Sequence, residues 1–235
     1  MFNLTVLGKL GAYPIKGGAT SGYLISFNGN NVLADIGSGV FSRLNAIINP
    51  SELKAVILSH LHFDHISDLG VLNYYLQLNG NKKLKVYCPF KNAAINFSIY
   101  SNLEFLAIEE NLSLDIDGLK ISFFEMEHPI ISYGFKAEFE NRVLSYTGDT
   151  NYCENAEKLA ENCNLYLCDG AFLQKDYSIK KPHMSVEMCC KIGEKYHTRV
   201  LITHLGPLYT NMQLKKAIKE YKSSKLAKEK KVYKI

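Results

Sequence analysis

The stretch Ala55-Val56-Ile57-Leu58-Ser59-His60-Leu61-His62-Phe63-Asp64-His65 sets an apolar run of strand length against a loop that carries three histidines and an aspartate. In an extended segment His60 and His62 project to the same side. Asp64 and His65 fall at the start of a helix read from Ile66 to Leu78, whose apolar spacing is Leu69, Leu72 and Leu76. One loop can therefore turn four metal-competent groups toward two different points. Any single histidine here reads as a solvated loop residue, but the four together do not. No cysteine pairs with them, which sets them apart from the closed, cysteine-rich sites of structural zinc. Nitrogen and carboxylate ligands with open positions point to catalysis.

Two metal ions need more donors than one loop offers, and three further candidates each stand just after a strand. These are His128 in Glu125-Met126-Glu127-His128-Pro129, Asp149 in Ser145-Tyr146-Thr147-Gly148-Asp149-Thr150, and His204 in Leu201-Ile202-Thr203-His204-Leu205. Taken alone, each reads as a core histidine or as a helix-capping aspartate. Their common place at strand ends links them to the first loop.

Around these motifs, β-rich and helical segments alternate. Leu4 to Gly8, Gly22 to Phe27 and Asn31 to Asp35 read as strands and Val40 to Ile48 as a helix. A second half starts near Leu112, with strands at Leu119 to Glu125, Ser132 to Phe139 and Arg142 to Tyr146. Helices at Asn155 to Glu161, Ser185 to Tyr196 and Met212 to Tyr221 then alternate with strands at Leu165 to Cys168 and Val200 to Thr203. The expected organisation is a single domain, 1–235, made of two halves, about 1–111 and 112–235, with paired sheets inside and helices outside.

Length and composition fit a compact globular unit: 47% hydrophobic and 21% charged residues are not the balance of a disordered chain. The opening Met1 to Gly8 reads as a strand and not as a signal peptide. No apolar run approaches the roughly 18 residues of a membrane span. A cytoplasmic protein is expected, and with it six free thiols, Cys168 being the one nearest to chemistry. The net charge of +4 is unevenly spread, because nine lysines between Lys215 and Lys234 stand against only Glu220 and Glu229, a local +7. The remaining 18 basic and 21 acidic residues leave −3 on the body, unlike a dedicated nucleic-acid binder. The lysine-rich tail reads as a solvated helix face.

The ordered set Asp35-Ile36-Gly37, His60-x-His62-x-Asp64-His65, His128, Gly148-Asp149 and His204 resembles the metallo-β-lactamase-fold hydrolases over nearly the whole chain. The resemblance implies an α/β four-layer αββα sandwich with the site at one edge. It also implies one metal held by His60, His62 and His128, another by Asp64, His65 and His204, and Asp149 bridging them. Asp35 would be the supporting aspartate that orients a ligand histidine. Two divalent ions are implied, zinc first, with manganese or iron as alternatives. A carboxylate at 149 is unlike the cysteine ligand of the true β-lactamases, and the His-x-His-x-Asp-His pattern is unlike the di-iron electron-transfer branch.

Cys168-Asp169-Gly170-Ala171-Phe172, followed by Pro182-His183-Met184-Ser185, is similar to the His-x-Ser/Thr element of the phosphodiesterase branch, which includes tRNase Z and cyclic phosphodiesterases. That resemblance makes Asp64 and His183 the catalytic pair, the first orienting the nucleophile and the second donating a proton to the leaving group. The expected partner is a small-molecule or nucleotide-like phosphodiester, attacked by hydroxide held between metals about 3.5 to 4 Å apart. RNA and a second copy of the chain are further partners to consider, although no insertion resembles the RNA-gripping arm of tRNase Z. Within Gly17-Gly18-Ala19-Thr20-Ser21-Gly22, Thr20 and Ser21 are candidates for substrate contact. Two rival readings stand beside this one: a thioester or lactone hydrolase in the manner of glyoxalase II, and a non-catalytic metal-binding or regulatory protein.

Overall fold

A computed structural model describes residues 1–80, 82–89, 96–109 and 111–235. The chain forms two compact units, Met1–Glu109 with Glu229–Lys234, and Glu110–Lys228 with Ile235. In the first unit, β1 (Phe2–Gly8), β2 (Gly22–Phe27) and β3 (Asn30–Ala34) pair antiparallel in chain order. Helix α1 (Val40–Asn45) then crosses over to β4 (Leu53–Ile57), which pairs parallel with β3. Helices α2 (Phe63–Ile66) and α3 (Leu69–Leu78) carry the chain to β5 (Leu84–Cys88), and β6 (Leu103–Ala107) adds a further parallel strand.

The apolar periodicities explain the layering. Leu24, Leu33, Val56 and Val86 project from alternate strand positions onto Val40 and Leu44 of α1 and Leu69, Leu72 and Leu76 of α3. The opposite face of the same strands, Tyr23, Ile25, Val32 and Ile57, is buried as well. Burial on both faces is why Ala55 to Leu58 is uninterrupted by polar residues.

The second unit begins with the antiparallel set β7 (Ser113–Ile116), β8 (Leu119–Glu125), β9 (Tyr133–Phe139) and β10 (Arg142–Tyr146). Its hairpins turn at Asp117-Gly118 and Glu140-Asn141, all four residues having positive φ, the geometry that matches the twist of paired strands. Helix α4 (Glu154–Ala160) leads to β11 (Leu165–Asp169), α5 (Val186–Lys195) to β12 (Val200–Thr203), and α6 (Asn211–Ala217) to β13 (Ser224–Leu226), all three strands parallel. Ala156, Leu159, Cys189, Ile192 and Leu214 pack over Tyr166, Cys168, Val200 and Ile202. The last strand, β14 (Val232–Lys234), returns to the first unit and pairs with β1. Each seven-stranded sheet thus reads across as three antiparallel pairings followed by three parallel ones.

Three expectations need correction. The helix read from Val40 to Ile48 ends at Asn45, and the one read from Ile66 to Leu78 is two helices broken at Ser67 and Asp68. The break is fixed by Asp68, whose amide donates to the Ile36 carbonyl and whose carboxylate accepts from the Phe41 amide. The lysine-rich tail is not one helix face: only Lys215 and Lys216 lie in α6, and Lys225 and Lys234 lie in short strands.

Candidate metal centre

The donors stand where the fold concentrates strand ends. Asp35 follows β3 and His60 follows β4; in the second unit Asp149 follows β10, Asp169 ends β11 and His204 follows β12. Loops at the carboxyl ends of parallel strands are the common location of sites in α/β sheets. Asp35 and His204 hold φ of 56° and 50°, and Gly148, before Asp149, holds 60°. A left-handed non-glycine residue costs on the order of 1–3 kcal/mol and persists where its surroundings over-determine it.

In the first unit Asp35 is fully buried and organises the loop. Its carboxylate accepts from the Ser59 amide at 2.8 Å, from Ser59 Oγ at 2.9 Å and from His65 Nδ1 at 2.8 Å. Ser59 Oγ also meets His60 Nδ1 at 3.0 Å. With their Nδ1 atoms held from behind, the two buried rings present Nε2: that of His60 lies 3.0 Å from His62 Nδ1, and that of His65 lies 3.6 Å from Asp64 Oδ2. Asp64 lies in the first turn of α2, and its Oδ2 accepts from the Ala12 amide at 2.8 Å.

The second unit repeats this construction. His128 Nδ1 donates to the Pro182 carbonyl at 3.2 Å, which fixes the tautomer that keeps Nε2 as a donor atom for a cation. His204 Nδ1 lies 3.4 Å from Asp169 Oδ1, while its Nε2 lies 3.2 Å from Asp149 Oδ2. His183 Nδ1 binds the other Asp169 oxygen at 2.8 Å, and its ring stacks on that of His204 with centroids 4.8 Å apart. One ligand atom from each of Asp149, Asp169, His183 and His204 falls within a 4.8 Å cluster.

Electrostatics in this cluster follow from burial and from those contacts. Burial pushes the pKa of His128 down, outweighing the opposite pull of Asp149 and of the Pro182 carbonyl. Burial disfavours charge on His183 too, yet the charge and hydrogen bond of Asp169, with Asp149, outweigh it and hold its pKa above the ordinary histidine value. Burial would raise the pKa of Asp169, but His183 and His204 together hold it down.

A divalent cation fits these donors. Imidazole nitrogens and carboxylate oxygens are its ligands, and histidines that bind metal give their second ring nitrogen to a carboxylate, carbonyl or hydroxyl. His60, His65, His128 and His204 all do so. The structure also shows residues that sequence reasoning did not assign. Asp169 backs two histidines at once, and Ser59 ties Asp35 to His60. The signal for Asp169 was its place at the end of an apolar strand, the same signal that marked Asp149 and His204. Thr20 and Ser21 are both fully buried, and Thr20 lies over Gly37, where an added Cβ would come within 2.2 Å of Thr20 Oγ1.

Residues 30–204 match the model of the family described as the beta-lactamase superfamily domain. The protein named "Probable metallo-hydrolase YhfI" of Bacillus subtilis (strain 168) is 26% identical over 226 residues, covering 92% of both chains. Its crystal structure, described as a metallo-beta-lactamase fold protein, superposes with a TM-score of 0.91 over the full length of both. A ribonuclease Z of Methanopyrus kandleri is 29% identical over 56% of this chain and 48% of its own. Human tRNase Z, short form, has the same fold at 19% identity, TM-score 0.81, covering 99% of both chains. A structure described as a new diphosphatase from the PhnP family matches at 16% identity, with a TM-score of 0.82 over 100% of this chain and 98% of its own. From the matched span, the fold and the donor chemistry together, the chain belongs to the beta-lactamase superfamily, among the metal-dependent hydrolases of the metallo-β-lactamase fold.

Proposed function

We propose that this hydrolase works with two divalent cations, zinc first, and that its substrate is a small or nucleotide-like phosphodiester. The observation that carries the reading is the repeated backing of histidine Nδ1 atoms, by Asp35 for His65, Ser59 for His60, Pro182 for His128 and Asp169 for His204. Rings held this way lose little freedom when Nε2 takes a cation. In this reading His60, His62 and His128 hold one ion, Asp64, His65 and His204 the other, and Asp149 both. Divalent cations held there activate water at neutral pH and neutralise charge growing on a phosphoryl oxygen.

The remaining roles belong to the chain itself. Asp64 orients the attacking water, its carboxylate fixed by the Ala12 amide. His183, with Nδ1 on Asp169, stores a proton and delivers it to the departing alkoxide. With only three arginines in the chain, Arg43, Arg142 and Arg199, guanidinium clamping plays little part in phosphate recognition. The ribonuclease Z and diphosphatase relatives favour phosphorus over carbonyl chemistry. The unpaired thiols fit a reducing, cytoplasmic setting, and among the described residues no helix is long and apolar enough to cross a membrane.

Steady-state hydrolysis of bis(p-nitrophenyl) phosphate by the zinc-loaded protein tests this. His183→Ala should lower kcat about 100-fold, the loss expected for a general acid. An unchanged rate removes that role, and turnover confined to thioesters or lactones replaces the phosphodiester reading with a carbonyl one. Metal content of two ions per chain is expected, and metal-replete protein that turns over no phosphodiester, thioester or lactone would leave a non-catalytic metal-binding or regulatory protein.

A further inference from the structure

Residues 9–21 join β1 to β2, and the part from Ala12 to Gly17 is exposed, so packing of its own side chains does not hold it. Yet Ala12 sits at φ 56°, a left-handed conformation that side-chain-bearing residues rarely adopt, and there its amide reaches Asp64 Oδ2 at 2.8 Å. Something must fix the two ends of this loop. The Arg43 guanidinium does so from α1: Nη1 donates to the Leu7 carbonyl at the end of β1, and Nη2 donates to the Gly17 carbonyl at 2.6 Å, on the returning side. Glu229, from the segment before β14, pairs with Arg43 Nη1 at 3.0 Å and accepts from the Ala19 amide at 2.9 Å. Both side chains are mostly buried, at 12% and 17% exposure, so solvent does not compete freely for these bonds.

We propose that Arg43, locked by Glu229, is a positioning residue: it staples the base of the 9–21 loop so that the Ala12 amide sets the rotation of the Asp64 carboxylate. The chain of contacts runs from guanidinium to carbonyls, from loop base to loop tip, and from amide to carboxylate. It rests on the reading of Asp64 as a metal ligand, and partners one step behind a ligand typically change metal affinity or activity by roughly 10- to 100-fold when removed.

The test is a double-mutant cycle on the full chain, with zinc affinity measured by competition with a chromophoric chelator and kcat measured separately. Arg43→Met and Asp64→Asn should each weaken zinc binding at least about 10-fold. The pair together should lose no more than Asp64→Asn alone, a coupling that general loosening of the fold would not produce. Ala12→Pro, which removes the amide hydrogen and also cannot hold the left-handed φ of 56°, should lose at least as much zinc affinity as Arg43→Met, even if Arg43→Met folds poorly. Wild-type zinc affinity in Ala12→Pro, or additive losses in the double variant, overturns the staple while leaving Asp64 as a ligand. Wild-type affinity in Asp64→Asn overturns both the staple and the ligand assignment beneath it.

Discussion

At the scale of single residues, the two buried aspartates behind the histidines are placed alike, one strand end apart from the rings they steady. Asp35 was legible, because Asp35-Ile36-Gly37 follows a strand in an ordered set of motifs. Asp169 was quoted with its neighbours yet given no role, since an acid that closes an apolar strand does not reveal which distant rings will meet it. Its two carboxylate oxygens serve His183 and His204 separately, so Asp169→Asn keeps the shape but takes away an acceptor. Zinc affinity and kcat/KM should both fall by roughly 10- to 100-fold, with the far-ultraviolet circular dichroism unchanged. Gly37 is a second sensitive position: a Cβ there would lie 1.9 Å from the Asp64 carbonyl oxygen and 2.2 Å from Thr20 Oγ1. Because the nearest atom is backbone, Gly37→Ala should lower the melting temperature and the bound zinc together, as read by calorimetry and metal analysis.

At the scale of elements, strong periodicity was readable and short pairing was not. The strands at Gly22–Phe27 and Leu165–Asp169 and the helix Val186–Lys195 declare themselves by apolar spacing and, for the helix, by the cap Ser185, which accepts from the Met188 amide at 3.1 Å. By contrast β5, Leu84 to Cys88, carries an exposed lysine at its second position, and β13 and β14 are three residues each within a lysine-rich segment. These strands exist because a neighbour offers an open edge, a cause that propensity does not encode. Ser185 also ties the helix start to Gln174 through its hydroxyl at 2.8 Å, only two residues beyond His183. Ser185→Ala should therefore cost about 1 kcal/mol of stability in denaturant titration and should also slow turnover, because His183 loses a firm anchor. In the first unit, Leu72 is fully buried on the inner face of α3, and Leu72→Ala should cost about 2–5 kcal/mol while leaving zinc affinity near wild type.

At the scale of the whole molecule, the donor pattern makes stability depend on cation supply. With cations at about 1,000 times their dissociation constant, binding contributes roughly 4 kcal/mol, which for a chain of this size is about 10 °C in melting temperature. Chelator treatment should lower the calorimetric transition by that order, and added zinc should restore it; an unmoved transition would deny that the folded chain holds metal tightly. The thiols take no part in this: burial pushes those of Cys88 and Cys190 up to about 12, and leaves them poor ligands at neutral pH. The donors of the first loop were readable as a cluster because they are adjacent in sequence, whereas Asp35 and Ala12, which steady His65 and Asp64, stand 30 and 52 residues away.

The pairing of β14 with β1 sets the order of biosynthesis against the order of assembly. A nascent chain finishes every strand of the second sheet before it makes the one that closes the first, so the outer edge of β1 waits, unpaired, until β14 is made. The first sheet therefore completes its edge only after the second sheet has been made, together with the arrival of Glu229 at Arg43.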